Sequence, residues 1–145
     1  MTTFTVGHTK TPAREFFGKL SNAGVRRVID VRLRNTSALA GYARRDDLAY
    51  LLESFAGIHY VHAPELAPDE GLFNDYKKKG LPWTEYEPRF LALMEAREIE
   101  KKVDPALLVN TCLLCAEKTP HHCHRRLVLE YLQDKWRMEL DVVHL

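Results

Sequence analysis

The sequence has almost no net charge and no long apolar run. Its 21 Lys and Arg side chains are balanced by 20 Asp and Glu side chains, which leaves a formal charge of +1 over 145 residues. This balance argues against a protein that coats nucleic acid or binds a membrane through a polybasic surface. No apolar run approaches the roughly 18 residues of a membrane span, and no secretory signal is visible at the N-terminus. We therefore expect a cytoplasmic protein with no membrane partner, and nucleic acid as a partner that the net charge does not support.

Cysteine is scarce and clustered. Cys112, Cys115 and Cys123 lie within twelve positions of one another, and no cysteine occurs elsewhere. An odd, clustered set is a poor disulfide framework. We therefore expect reduced thiols that belong to the core or to a site.

Apolar stripes with helical spacing alternate with short, nearly continuous apolar runs. Helices are predicted to begin near Thr11, Asp46, Thr84 and Thr119, and strands are predicted over 4–7, 25–31, 58–61, 106–114 and 140–145. This alternation predicts a single α/β domain over residues 1–145. Its mainly parallel five-stranded sheet is expected to have helices on both faces, in a Rossmann- or flavodoxin-like three-layer architecture. Segment 62–83, with three prolines and two glycines, is predicted to be a long loop and a candidate lid.

Reactive side chains follow several of the predicted strands. Parallel α/β sheets bind ligands at the carboxyl ends of their strands, so these side chains are expected to line one crevice. The catalytic candidates are Glu117, His8, Cys115 and Asp30, and the ligand-binding candidates are Arg32, Arg125, His124, Gly7 and Thr9.

Two interpretations of the arginines remain open. Arg32 and Arg125, the latter beside a helix N-terminus, have the chemistry of a phosphate or carboxylate site. Alternatively, they form buried salt bridges with Asp30 or Glu117 that hold loops in place. Glu117 is the preferred general acid or base, and His8 is the alternative base.

A metal site is a further hypothesis. Cys115, Cys123 and His124, with His8, offer ligands for zinc or another divalent metal, although their spacing matches no standard zinc finger. Cys112 is separated from Cys115 by three positions on a strand, so it is expected to point to the opposite face and to join the core. For Cys123, both a reactive thiolate and a core side chain four positions before Leu127 fit the pattern.

Short motifs along the whole chain resemble one family. They are Thr5–Thr9 (TVGHT), Ile29–Arg32 (IDVR), Trp83 with Tyr86, Leu114–Lys118 (LCAEK), Cys123–Arg125 (CHR) and Val143–Leu145 (VHL). With these motifs in this order, the chain resembles the domain-of-unknown-function family numbered 488. The resemblance implies kinship and no particular activity.

The sequence therefore leaves three functions open. The first is an enzyme, a hydrolase or transferase, that acts on a small anionic ligand or nucleotide. The second is a non-catalytic module that binds a nucleotide, nucleic acid or a metal, and the third is a redox-active thiol protein. In segment 62–83, Phe73, Tyr76 and Trp83 lie near Lys77–Lys79, which fits either a nucleotide contact or core aromatics beside solvated lysines.

Overall fold

The centre of the molecule is a five-stranded parallel sheet, seen in a computed structural model that describes residues 2–145. Its strands are β1 (Thr2–Gly7), β2 (Arg27–Asp30), β3 (His59–His62), β4 (Thr111–Cys115) and β5 (Asp141–His144). They are arranged in the order β3-β2-β4-β1-β5, and each neighbouring pair is parallel. The predicted single-domain α/β architecture is confirmed. In this order β4 separates β1 from β2, which are direct neighbours in the two common doubly wound sheets.

Two apolar cores cover the two faces of the sheet. On one face α1 (Ala13–Asn22) and α2 (Arg45–Leu51) pack against β-strand residues such as Val28 and Leu114. On the other face lie α3 (Glu70–Lys77), α4 (Trp83–Arg97), α5 (Ile99–Lys102) and α6 (His124–Trp136), which pack around residues such as Leu113. Because β4 is buried along its whole length, its side chains alternate between the two cores.

This alternation separates two of the cysteines. Cys112 lies in the core beneath α1 and α2, whereas Cys115 lies in the core beneath α4 and α6. Burial raises the pKa of the Cys112 thiol well above its usual value. The prediction that Cys112 is a core side chain is confirmed.

Two predicted element boundaries are wrong and one is close. Helix α4 begins at Trp83, one residue before the predicted Thr84, whereas α6 begins at His124, five residues after the predicted Thr119. Strand β4 begins at Thr111 and not at the predicted residue 106, because Asp104 caps a 3-10 turn over Pro105–Leu108. Glu98 has a positive φ of 51° and separates α4 from α5.

Helix α2 is followed directly by a turn of different geometry. This turn, Leu52–Ala56, is of the π type, and Phe55 within it is 74% exposed. A π-turn changes the angular spacing between side chains, so the apolar stripe of α2, extrapolated at 3.6 residues per turn, does not extend to Phe55.

The predicted loop 62–83 contains regular structure. A 3-10 turn covers Pro64–Leu66 and α3 follows over Glu70–Lys77, so the loop prediction is wrong for these residues. Asp69 caps α3, since its carboxylate accepts a hydrogen bond from the Leu72 amide at 2.8 Å. An Asp cap followed by Leu72 and Tyr76 at i, i+4 spacing is a helix signal, but the prolines and glycines on both sides obscured it.

The helices of the protein are short or rich in polar residues. None of the helices between Thr2 and Leu145 is both long enough and apolar enough to cross a membrane.

Candidate functional site

The carboxyl ends of β1, β2 and β4 meet at one edge of the sheet. Cys115 at the end of β4 is in register with Gly7 at the end of β1, and the neighbouring Leu114 is in register with Asp30 at the end of β2. The three strands are adjacent, so the segments that follow them are brought together. The predicted crevice at this edge therefore exists as a geometric feature.

Two thiols and one imidazole are buried together at this edge. Cys115 is the last residue of β4, Cys123 directly precedes α6, and His124 is the first residue of α6. Their sulfur and nitrogen atoms all lie within 4.8 Å of one another. The Cys115 Sγ is 3.6 Å from the His124 Nδ1. The strand end and the helix start thus hold three potential metal ligands in place.

Hydrogen bonding fixes the orientation of the His124 ring. Its Nε2 lies 2.6 Å from the carbonyl oxygen of Val31. A carbonyl only accepts, so we assign the ring proton to Nε2, which leaves Nδ1 unprotonated and able to bind a metal. Burial lowers the pKa of His124, which keeps the ring neutral.

The pKa values of the two thiols are shifted in opposite directions. A hydrogen bond from Cys123 lowers the pKa of the Cys115 thiol, and the backbone amides of Ala116 and Glu117 lower it further, against the effect of burial. The same Cys115–Cys123 hydrogen bond, together with burial, raises the pKa of Cys123. Cys115 is therefore the more acidic of the two thiols.

These three side chains line one end of a cavity of about 150 Å³. The rest of its lining is largely apolar and aromatic, and α3 and α4 contribute four of its aromatic side chains, Phe73, Tyr76, Trp83 and Tyr86. The lining consists of Arg32, Leu33, Arg34, Pro68, Phe73, Tyr76, Lys77, Trp83, Tyr86, Cys115, Ala116, Glu117, His122, Cys123 and His124. The arrangement is that of a small-ligand pocket, with apolar walls and a few convergent polar groups.

Membership of a family is decided by comparison with known proteins. A family model described as "Domain of unknown function DUF488" matches residues 12–132. The chain belongs to the DUF488 family. No curated protein and no solved structure matches it. The resemblance expected from the motifs is confirmed, and the chemistry of this DUF488 cavity must be argued from its own residues.

Asp30 and Arg32 form a buried ion pair beside the DUF488 cavity. The Arg32 Nε and Nη2 donate to the two Asp30 carboxylate oxygens at 2.8 and 2.7 Å. Asn35 and the Tyr60 hydroxyl, at 3.2 and 2.5 Å, also donate to Asp30. Arg32 lines the cavity, but its guanidinium is engaged by Asp30, which corresponds to the salt-bridge interpretation of this arginine.

Arg125 lies behind the loop that connects β4 to α6. It is fully buried, outside the cavity lining, and its Nη atoms donate to the carbonyl oxygens of Glu117 and Lys118. Its Nη1 also lies 3.7 Å from the Cys123 Sγ. In this arrangement Arg125 holds the loop and does not face Arg32 across an open anion site.

Glu117 reaches the mouth of the cavity. Its carboxylate accepts a hydrogen bond from the Lys77 ammonium at 2.8 Å, and its side chain is 45% exposed. This ion pair connects α3 to the β4–α6 loop. The salt-bridge partner of Glu117 is thus Lys77, and not the expected Arg32 or Arg125.

The candidates after β1 lie outside the cavity lining. Burial lowers the pKa of His8 to about 4, and the charge of Arg32 acts in the same direction. A base of that strength is weak at neutral pH. The Thr9 amide and hydroxyl both donate to the Ala116 carbonyl, at 3.0 and 2.5 Å, so Thr9 supports the β4–α6 loop.

Several lining residues were not foreseen as site residues. Arg34, Pro68 and His122 have no distinctive sequence spacing. His122 is exposed, but its ring also stacks on Trp83 with centroids 5.0 Å apart. Only the packing of α4 against the β4–α6 loop brings these two rings together.

Proposed function

We propose that the chain is a zinc-dependent enzyme of the hydrolase class, with zinc held by Cys115, Cys123 and His124. The observation that carries this proposal is the buried set of two thiols and one imidazole at the end of the cavity. Three protein ligands and a fourth position open to a cavity are the arrangement typical of catalytic zinc.

The donor atoms support zinc in particular. Thiolate and imidazole ligands suit zinc, whereas calcium and magnesium prefer oxygen ligands. Tetrahedral zinc, with Zn–S of about 2.3 Å and Zn–N of about 2.0 Å, places a sulfur and a nitrogen ligand roughly 3.5 Å apart. The Cys115 Sγ and the His124 Nδ1 are already 3.6 Å apart.

The surroundings of the ligands also support a metal. A histidine that binds a metal commonly donates its other ring N–H to a carbonyl or carboxylate, and His124 has this bond to Val31. Backbone amides hydrogen bond to the Cys115 sulfur, and the Arg125 guanidinium lies beside the Cys123 sulfur. These groups compensate the negative charge of two thiolates in a buried site.

A simple Cys–His nucleophile is less well supported. Such a pair relies on a protonated imidazole beside the thiolate. Burial disfavours protonation of His124. Neutral His124 with an unprotonated Nδ1 is the form that a metal requires.

Glu117 is the proposed general acid or base. It lines the same cavity as the three ligands, and Lys77 keeps its carboxylate at the mouth. A zinc ion held by these residues would lower the pKa of a bound water to about 7, and Glu117 would be the carboxylate of the cavity lining available to take up or return its proton.

Metal content of the protein purified without an affinity tag tests the proposal. About one zinc per chain is expected by elemental analysis, because three ligands are preorganised in the fold. Cys115→Ser, Cys123→Ser and His124→Ala should each lower zinc retention after dialysis by at least about tenfold. Cys112→Ala is the matched control, since this third cysteine is buried in the opposite core, and it should retain zinc as the unchanged protein does.

Cobalt substitution tests the open coordination position. The Co²⁺ protein is expected to show thiolate-to-cobalt charge-transfer absorption, and azide is expected to change its visible spectrum by binding at the fourth position. A spectrum that azide leaves unchanged would contradict a catalytic site. Zinc retention that is equal in Cys112→Ala and Cys115→Ser would contradict the metal site itself.

A further inference from the structure

The cavity has the volume of one six-membered ring. Its volume is about 150 Å³, and a protein cavity of roughly that volume accommodates benzene. The volume therefore matches a ligand that buries a single ring.

The cavity walls suit a flat ring. Phe73, Tyr76, Trp83 and Tyr86 contribute to its lining, and Trp83 and Tyr86 are parallel within 19° with centroids 5.0 Å apart. His122 stacks on Trp83 at the same separation and angle. Any planar heterocycle is stabilised by stacking on such surfaces, because every aromatic base has a π-face.

Cations stand at the mouth of the same cavity. Arg34 and Lys77 both line it, and each lies over an aromatic ring of the wall, at 5.4 Å from the Phe73 centroid and 5.5 Å from the Tyr76 centroid. Arg34 is paired with Glu70, and Lys77 with Glu117, in exposed ion pairs. Exposed pairs contribute little free energy, so a phosphate can replace the carboxylates as a partner.

We propose that the cavity binds a free pyrimidine nucleotide, with the pyrimidine ring against the aromatic side chains of the lining and the phosphate at the mouth on Lys77 and Arg34. This inference rests on the proposed function in one respect only, namely that the ring lies next to the three proposed metal ligands. The near-neutral charge of the chain fits a single nucleotide better than a polynucleotide.

Isothermal titration calorimetry on untagged protein of measured zinc content tests this inference. The ligands are cytidine monophosphate, cytidine, adenosine monophosphate and inorganic phosphate. Cytidine monophosphate should bind at least about tenfold more tightly than cytidine or inorganic phosphate, because ring stacking and a charge-assisted phosphate contact each contribute about one factor of ten or more. It should also bind at least about tenfold more tightly than adenosine monophosphate, because the cavity volume matches one six-membered ring.

Two lysine variants separate the phosphate contact from other effects. Lys77→Gln should weaken binding of cytidine monophosphate about tenfold and leave cytidine binding unchanged. Lys78→Gln is the matched control, because this neighbouring lysine is exposed and lies outside the cavity lining, and it should change neither affinity.

Each result that differs from these expectations would overturn a different part of the proposal. Equal affinity for adenosine monophosphate, or for phosphate alone, would overturn the assignment of a pyrimidine ring to the cavity. Tighter binding of an oligocytidylate than of cytidine monophosphate would overturn the free nucleotide. Zinc at one per chain without nucleotide affinity would refute this inference and leave the metal site standing, whereas nucleotide affinity in zinc-free protein would do the reverse.

Discussion

At the scale of single residues, the site depends on one backbone contact. Gly7 ends β1 directly against the β4–α6 loop, where a Cβ atom would overlap the Glu117 carbonyl and lie 2.8 Å from the Arg125 Nη1. Both neighbours are held in place, one as loop backbone and the other as a buried guanidinium. The candidate role of Gly7 in the site is thus steric, since only glycine allows the loop to approach the sheet this closely.

Gly7→Ala is therefore expected to be severely destabilising. We expect a loss of more than about 4 kcal/mol in the free energy of unfolding, because the overlap forces the loop or the strand to move. Chemical denaturation measures this change. Gly18→Ala is the matched control, since a Cβ there meets nothing within 4 Å inside α1, and it should gain about 0.5–1 kcal/mol. Similar stability of both variants would show that the loop adapts freely.

At the scale of elements, the end of β2 is held by a network around Asp30. Its carboxylate joins Arg32 and Asn35 of the following loop to Tyr60 of β3. Burial alone would raise the pKa of Asp30, but the hydrogen bonds and charge of Arg32, with the Tyr60 hydroxyl, outweigh it and leave this pKa below its usual value. This ion pair fixes the polypeptide that leads into the Arg32 wall of the cavity.

Asp30→Asn should cost about 3–5 kcal/mol of unfolding free energy at pH 7, because it leaves the buried Arg32 charge without its anion. Urea denaturation checks this expectation. The exposed pair of Arg45 and Asp46 supplies the control, and Asp46→Asn should change stability by no more than about 0.5 kcal/mol. Equal effects of the two variants would mean that the buried network contributes no more than a surface ion pair.

The same network predicts a pH dependence. A carboxyl whose folded pKa is depressed contributes its stability above the unfolded pKa, about 3.9 for Asp, and loses it as the pH falls through the lower folded value. The stability gap between the unchanged protein and Asp30→Asn should therefore be constant from pH 7 to about pH 5 and narrow below about pH 4. A gap that widens in acid would contradict the depressed pKa.

At the scale of the whole molecule, the proposed zinc connects both ends of the β4–α6 loop. Cys115 belongs to the central strand β4, and His124 begins α6. A metal that binds the folded form more tightly than the unfolded chain stabilises the fold by mass action. Metal loading should thus be visible in global stability as well as at the site.

Chelation is expected to lower the melting temperature. Free zinc at 100 times its dissociation constant contributes about 2.7 kcal/mol, which corresponds to a shift of several degrees for a chain of this length. Thermal unfolding with and without a chelator measures this shift. Cys112→Ala should show the same shift as the unchanged protein, whereas Cys115→Ser should show none. A chelator that leaves all three melting temperatures unchanged would contradict a metal in the folded protein.

The class of fold was predictable from the sequence alone, and so was the edge of the sheet that carries the candidate site. Strand and helix periodicities are local, and parallel connections place all strand ends at one edge, so Cys115, Cys123 and His124 were predictable as neighbours. The opposite orientations of Cys112 and Cys115 followed from the same strand geometry.

The hydrogen-bond and ion-pair partners of the site residues were not predictable from the sequence, because they depend on tertiary contacts. Arg32 and Arg125 looked equivalent in sequence, yet one pairs with Asp30 beside the cavity and the other holds loop carbonyls behind it. Helix α3 and the stacking of His122 on Trp83 give the cavity its walls. These contacts join residues far apart in the chain, so no local pattern encodes them. They depend on the order of the strands and on the packing of α3 and α4 over the sheet.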